Sequence, residues 1–280
     1  MEKRVFITGC SSGIGAALAR EFRRSGHTVY ATARRHDALA PLAAEGIRTL
    51  EVDVNDNESL AAAFEVVDRE VGRLDLLVNN AGFSQVGALT DLTRDDLRRQ
   101  FETNVIAPVA VTALALPLLR GAVAKNGAAT VANVGSIVGI IATPFAGAYC
   151  ASKAALHSLT DTLRMELAPF GINVVAVQPG GVRSSFGDHA SAALRLPDES
   201  LFKRAERGIV ARAQAGQQGA MPAEKFVVPV VRALSQEKPP RIIRGGTNSL
   251  RLPLLKRCLP ASVFDARLTK HFGLDALARD

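Results

Sequence analysis

The sequence predicts an α/β fold of three layers, α/β/α, built on a doubly wound parallel sheet. Three observations carry that expectation. A glycine-rich loop, Gly9-Cys-Ser-Ser-Gly-Ile-Gly15, separates a β-branched apolar run from a helix-like one. Strand-like and helix-like segments then alternate, and the residues able to do chemistry fall just after the strand-like runs. In an open parallel sheet the crevice lies at the carboxyl ends of the strands, so a ligand site belongs there. With 280 residues and 48% hydrophobic content, the chain can fill one large core. It shows no internal repeat and no low-complexity linker, so a single domain over residues 1–280 is expected.

The elements follow in order. Arg4-Val-Phe-Ile-Thr8 reads as the first strand. From Ile14 an Ala- and Leu-rich helix, with Ala17, Leu18 and Phe22 apolar, runs to a stop at Gly26, and His27 to Ala33 returns as the second strand. A glycine loop between strand and helix suits a pyrophosphate: backbone N–H groups and the positive helix end must approach it, and side chains would block them. The spacing is G-x-x-x-G-x-G, so the commoner G-x-G-x-x-G fingerprint does not apply as written. Ile47 to Val52 reads as a third strand ending at Asp53, and Leu74 to Val78 as a fourth ending at Asn79-Asn-Ala-Gly82. Val131 to Val134 is a fifth and Ile172 to Val177 a sixth, each continuous and apolar as strands buried on both faces are.

Composition excludes several classes. The few residues before Gly9 leave no room for a secretory leader, and no apolar run is read as long enough to span a membrane, so a cytoplasmic protein is expected, with membrane contact at most peripheral. Three cysteines, Cys10, Cys150 and Cys258, show neither metal spacing nor a disulfide framework; no metal is expected. The net charge of +7 comes from basic residues scattered along helices, with no aromatic stacking platform, so nucleic acid is not expected as a partner.

Tyr149 stands four residues before Lys153 in Ala-Tyr-Cys-Ala-Ser-Lys. On a helix that spacing puts both on one face, where an ammonium can favour the phenolate and bring the phenol toward the range of proton exchange with an alcohol or carbonyl. Pro108, four residues after Asn104, has no N–H to offer the Asn104 carbonyl; the freed carbonyl either holds a water or marks an ordinary proline kink.

Together these motifs resemble the short-chain dehydrogenase/reductase family. The matching residues are Thr8-Gly-Cys-Ser-Ser-Gly-Ile-Gly15, Asp53, Asn79-Asn-Ala-Gly82, Asn104, Ser136, Tyr149 with Lys153, and Pro179-Gly180, in the family's order over roughly the first 185 residues. The resemblance implies a Rossmann-like fold and a catalytic set of Asn104, Ser136, Tyr149 and Lys153. Tyr149 would exchange the proton, Ser136 would hold the carbonyl oxygen, Lys153 would depress the Tyr pKa and bond the nicotinamide ribose, and Asn104 would anchor a water chain. It also implies a dinucleotide held by Gly9, Ser11, Ser12, Gly13, Ile14 and Gly15 in the loop, by Asp53 and Val54, and by Asn80, Ala81 and Gly82. Tyr149 and Lys153 would add contacts, as would Pro179, Gly180, Val182 and Ser184, the last standing where the family usually has Thr. A homo-oligomer, dimer or tetramer, is expected on the same ground.

Cofactor choice turns on the end of the second strand. An NAD-dependent fold usually has an acid there for the ribose 2′-hydroxyl; this chain has Ala33-Arg34-Arg35. A guanidinium suits a 2′-phosphate, so NADP is expected, with Arg34 as its partner and Ser11 as a second contact by resemblance. The apolar stretch Ile137 to Phe145 favours a hydrophobic ketone, aldehyde or secondary alcohol as the small-molecule substrate. Residues 181–212 are expected to form a lid, and residues 246–280 a C-terminal helical extension. Within it, Leu250 to Leu259 mixes apolar and basic residues and fits core packing with solvated charges or a membrane-surface contact. The Tyr30-Ala-Thr-x-Arg34 run and this tail are similar to the branch holding 17β-hydroxysteroid dehydrogenases, retinol dehydrogenases and acyl-dihydroxyacetone-phosphate reductases. A steroid, retinoid or acyl-chain carbonyl follows as the expected substrate. The alternative is a catalytically silent sensor or scaffold of the same fold.

Overall fold

The computed structural model describes residues 1–277. Its centre is a seven-stranded sheet in the order β3-β2-β1-β4-β5-β6-β7. The strands are β1 (Arg4–Ile7), β2 (Thr28–Ala33), β3 (Arg48–Glu51), β4 (Leu76–Asn79), β5 (Ala129–Val134), β6 (Ile172–Pro179) and β7 (Ile242–Gly245). Every neighbouring pair is parallel. The order reverses between β1 and β4, and that switch point opens the crevice.

The helices are α1 (Gly13–Arg24), α2 (Ala40–Ala44), α3 (Asn57–Val71), α4 (Arg94–Phe101), α5 (Ala107–Asn126), α6 (Gly147–Leu167), α7 (Phe186–Ala192), α8 (Glu206–Gln214), α9 (Ala223–Leu234), α10 (Arg251–Cys258) and α11 (Ala261–His271). Side chains alternate along each strand, so one strand feeds two cores. Val5 and Ile7 pack with Leu18 and Phe22 of α1 and Phe226 and Val230 of α9. Phe6, between them, faces the opposite layer, where its ring lies 4.8 Å from that of Phe64 on α3 and where Val111 and Leu119 of α5 complete the core. Each such buried side chain contributes about 1.5–3 kcal/mol by removal from water. Gly26, at φ +81°, takes the left-handed turn that ends α1 and leads into β2.

Three features depart from the sequence reading. β7 is an edge strand of two isoleucines followed by Arg244, too short and too charged to carry a strand pattern; its pairing with β6 defines it. The helical run Arg94–Asn126 is long and apolar enough by length and composition to cross a membrane, contrary to the expectation that no segment reaches that length. Half of its apolar window is buried inside the protein, because α5 lies against the sheet. In the tail, α10 buries none of its residues and leaves Leu250 and Leu254 exposed, so core packing does not account for that run. The tail instead anchors through α11 and the turn after it. Phe272 joins a third core with Val86, Phe145, Ile209 and Ala213, which ties residues 261–277 to α8 and to the loop after β4.

Candidate active site

The loop after β1 is shaped by what its glycines exclude. A Cβ on Gly9 would sit 2.7 Å from the Ala81 Cα, one on Gly13 2.7 Å from the Ser184 Cβ, and one on Gly15 2.5 Å from the Asn80 Nδ2. Thr8 and Asn80 lock this approach. The Thr8 Oγ1 accepts from the backbone N–H groups of Asn80 and Ala81, both at 3.0 Å, and the Asn80 Nδ2 donates to the Thr8 and Gly9 carbonyls, both at 2.9 Å. Asn80 is therefore a clamp on the glycine loop as well as part of the crevice wall.

Ser12 precedes α1 without a side-chain cap, leaving the first N–H groups of that helix uncapped by its hydroxyl. They border a cleft of about 590 Å³ lined by Cys10, Ser11, Ser12, Gly13, Arg183 and Ser184, among others. Open helix N–H groups, glycines with no room for a Cβ, and a facing arginine fit a dinucleotide pyrophosphate. Ile14 is half-buried behind them. At the third strand's end, the Asp53 Oδ1 accepts from Asn55 N at 3.0 Å, and Val54 is buried. Pro179 closes β6, Gly180 donates to the Gly245 carbonyl at 2.8 Å, and Val182 is buried behind this turn. Arg34 is exposed at the end of β2. Its neighbour Arg35 is paired with Asp37 at 3.4 Å, while Arg34 has no ion pair among the described residues.

The four residues expected to do the chemistry converge at the ends of β4 and β5. Ser136 caps the turn after β5, with its Oγ accepting from Val138 N at 3.3 Å, and its side chain acts to lower the Tyr149 phenol. Tyr149 and Lys153 lie on the first turns of α6, with the Lys153 Nζ 5.9 Å from the Tyr149 ring centroid. Lys153 is buried and donates to the Val134 carbonyl at 2.7 Å. Asn104, fully buried, sits in a π turn, Glu102–Ile106, in which Ala107 N donates to the Glu102 carbonyl. Its Oδ1 accepts from Phe83 N at 3.2 Å, and its Nδ2 donates to the Phe83 carbonyl and the Ser152 Oγ, both at 3.1 Å. That turn is the local answer to Pro108, and π turns recur at functional sites.

A family model described as short chain dehydrogenase matches residues 3–194. The chain belongs to the short-chain dehydrogenase family. A solved short-chain dehydrogenase from Streptomyces avermitilis is 32% identical, with a TM-score of 0.79 over 100% of this chain and 99% of that one. A short-chain dehydrogenase/reductase from Burkholderia phymatum, solved in complex with NAD, is 25% identical with a TM-score of 0.78, over 91% of this chain and 93% of that one. Among curated proteins, the NADPH-dependent 1-acyldihydroxyacetone phosphate reductase of Schizosaccharomyces pombe is 36% identical over 81% of this chain and 74% of its own length.

Within this dehydrogenase the electrostatics of Tyr149 correct the sequence reading. The phenol is pushed up to about 12 by burial, with Ser136 and Arg212 pulling it back, and Lys153 is not among the causes. Burial also brings Lys153 itself down to about 8. Desolvation, invisible in an i, i+4 spacing, sets the direction of the shift. The result is a phenol that stays protonated near neutrality, the form that can give a proton to a carbonyl oxygen.

Sequence reasoning missed three residues of this short-chain dehydrogenase site. Phe186 on α7 packs its ring 5.5 Å from Tyr149. Arg212 reaches the site from α8 and donates to the Thr143 Oγ1 at 2.7 Å. His157, one helical turn beyond Lys153, accepts a long 3.5 Å bond from the Ser136 N–H. A Cβ on Gly135 or on Gly139 would collide with its ring, so the two glycines form its slot. Their spacing about Ser136 is the signal that could have exposed it.

Burial and Lys153 bring His157 down to about 4, so the folded state binds fewer protons than the unfolded one between that value and 6.5. Stability from this group is therefore full above pH 6.5 and lost on acidification toward pH 4. The shift corresponds to roughly 3 kcal/mol. Urea midpoints measured at pH 7 and 4.5 should fall less for His157→Gln than for the native chain. Equal losses in both would remove His157 as the cause.

Proposed function

We propose that the protein is an NADPH-dependent reductase of a hydrophobic ketone or aldehyde, reversible with the matching secondary alcohol. The observation that carries this reading is the convergence of Ser136, Tyr149, Lys153 and Asn104 beside a dinucleotide-shaped loop. The nicotinamide, when bound, supplies the hydride to the carbonyl carbon. The Tyr149 hydroxyl gives its proton to the carbonyl oxygen, and the Ser136 hydroxyl holds that oxygen by a hydrogen bond. Lys153, fixed by the Val134 carbonyl, is placed to orient the nicotinamide ribose. The Asn104 side chain is committed to Phe83 and Ser152, which leaves its backbone carbonyl, deprived of a donor by Pro108, as the group to hold a water. The test is substrate-dependent loss of reduced-nicotinamide absorbance against steroid, retinal and acyl-ketone panels. Tight NADPH binding with no turnover on any of them would favour the silent sensor instead.

The preference for NADPH is supported by Arg34, exposed and in no ion pair among the described residues, where an NAD-dependent fold carries an acid. Two carboxylates close by in sequence or on the neighbouring strand are engaged elsewhere, Glu51 by the His36 N–H at 3.0 Å and Asp37 by Arg35. Arg34→Ala should lower the NADPH over NADH ratio of kcat/KM roughly 10- to 100-fold, the value of a charge-assisted pair. An unchanged ratio would remove Arg34 from the phosphate site.

Residues 181–212, with α7 against Tyr149, act in this reading as a lid over the substrate, in a cytoplasmic enzyme whose Cys10, Cys150 and Cys258 are free thiols. The exposed end of α10, with Leu250 and Leu254 beside Arg251, leaves peripheral membrane contact as part of the proposal. A homodimer would cover the apolar groove formed by Val105, Ile106, Val109, Ala110 and Leu159, where Ile106 is 52% exposed. Sedimentation equilibrium should give twice the 29.6 kDa chain mass; a monomer at micromolar concentration would contradict it.

A further inference from the structure

Among the described residues, Arg212 is a buried cation without a counter-ion. It is 8% exposed, on the face of α8 that also carries Ile209 and Ala213. Its Nε is spent on the Thr143 Oγ1 at 2.7 Å, a neutral partner. Among the described residues no carboxylate forms an ion pair with it. The Thr143 Oγ1 in turn lies 3.7 Å from the Cys150 Sγ, on the residue next to Tyr149. The Arg212 charge also lowers the Tyr149 phenol, in keeping with this link from Arg212 through Thr143 to the residue beside Tyr149.

Burying a guanidinium without a negative partner is costly, and its fork of remaining donors matches two oxygens of one acid. A purely structural tie to Thr143 needs only a neutral donor. Nothing in the proton transfer by Tyr149, Ser136 and Lys153 needs a second buried cation either. Among the described residues no counter-charge is present, which leaves that role open to what enters the site.

The geometry points to Arg212 as a substrate-binding residue that pairs with an anionic group of the substrate, a carboxylate or a phosphate monoester. This rests on the reductase reading and narrows it: the substrate becomes an amphiphile whose apolar body meets walls such as Phe186 and whose acidic head meets Arg212. Thr143 fixes the guanidinium through Nε, which leaves the terminal nitrogens for the acid.

The test is calorimetric binding of decanoate, decyl phosphate and decanol to the protein saturated with NADP. At least one of the two anions should bind the native chain tenfold or more tightly than decanol, and the stronger of the two identifies the acid. Arg212→Met should weaken the anions roughly 10- to 100-fold and leave decanol within about twofold. Arg212→Lys, which keeps the charge and loses the fork, should fall between. A native chain that binds decanol as tightly as both anions would overturn the assignment, and that arm needs no variant to fold. So would an Arg212→Met variant that keeps the preference or weakens all three ligands alike, as a merely structural arginine would. Binding is read without turnover, so a failure of the reductase reading, detected by activity retained in Tyr149→Phe, remains distinguishable.

Discussion

Tyr149→Phe should lower carbonyl reduction by about 10²- to 10⁴-fold, the share a positioned general acid contributes. The substitution keeps the ring that packs 5.5 Å from Phe186 and removes only the hydroxyl. Folding and NADPH binding should therefore change little, since the glycine loop and its Thr8–Asn80 clamp lie on other elements. Because burial pushes the phenol up to about 12, the native enzyme keeps its acid charged with a proton through the neutral range. Oxidation of the alcohol needs the opposite state and should gain as pH rises. Stopped-flow single turnover with excess NADPH separates the chemical step from product release. A variant with near-native single-turnover rates would end the assignment of Tyr149 as the proton donor.

The sequence was most informative where function and backbone geometry coincide. Gly9, Gly13 and Gly15 mark places where another chain segment approaches too closely for a Cβ, so the loop was legible from residue type and order alone. Ser136, Tyr149 and Lys153 follow β5 closely enough in the chain that local elements bring them together. Quantities set by tertiary burial were not legible. The i, i+4 spacing of Tyr149 and Lys153 implied a depressed phenol pKa, and desolvation reversed the sign. Arg212, in the sequence only the far bound of the expected lid, gains its place when α8 folds it onto Thr143, 69 residues away in sequence. β7 escaped because an edge strand needs little apolar pattern of its own when β6 supplies the pairing. Pro108 lies inside the helical run Arg94–Asn126, and the π turn accommodates it without ending that run.

Gly15→Ala should cost more dinucleotide affinity than any other single methyl group added in the glycine loop, about 100-fold or more. Gly15 has an ordinary helical backbone, so no strain in φ is involved; the added carbon would lie 2.5 Å from the Asn80 Nδ2 and closer still to the Gly9 carbonyl oxygen. Both atoms belong to the same clamp, in which the Asn80 amide donates to the Gly9 carbonyl at 2.9 Å. To make room, either the loop moves off the helix N-terminus or Asn80 gives up its bonds. The first separates the N–H groups from the site they would offer a pyrophosphate, and the second frees the loop from β4. Overpacking of this kind costs about 1–3 kcal/mol of stability, so the variant should fold with a lowered Tm. Gly26→Ala is the contrasting substitution. Nothing lies within 4 Å of its added Cβ, and its penalty comes from φ +81° alone. It should destabilise the fold by about 1 kcal/mol while leaving NADPH affinity nearly native. Fluorescence titration of NADPH on both variants separates local obstruction from general destabilisation. Native affinity in Gly15→Ala would show that the loop has slack that the Thr8 and Asn80 bonds do not allow.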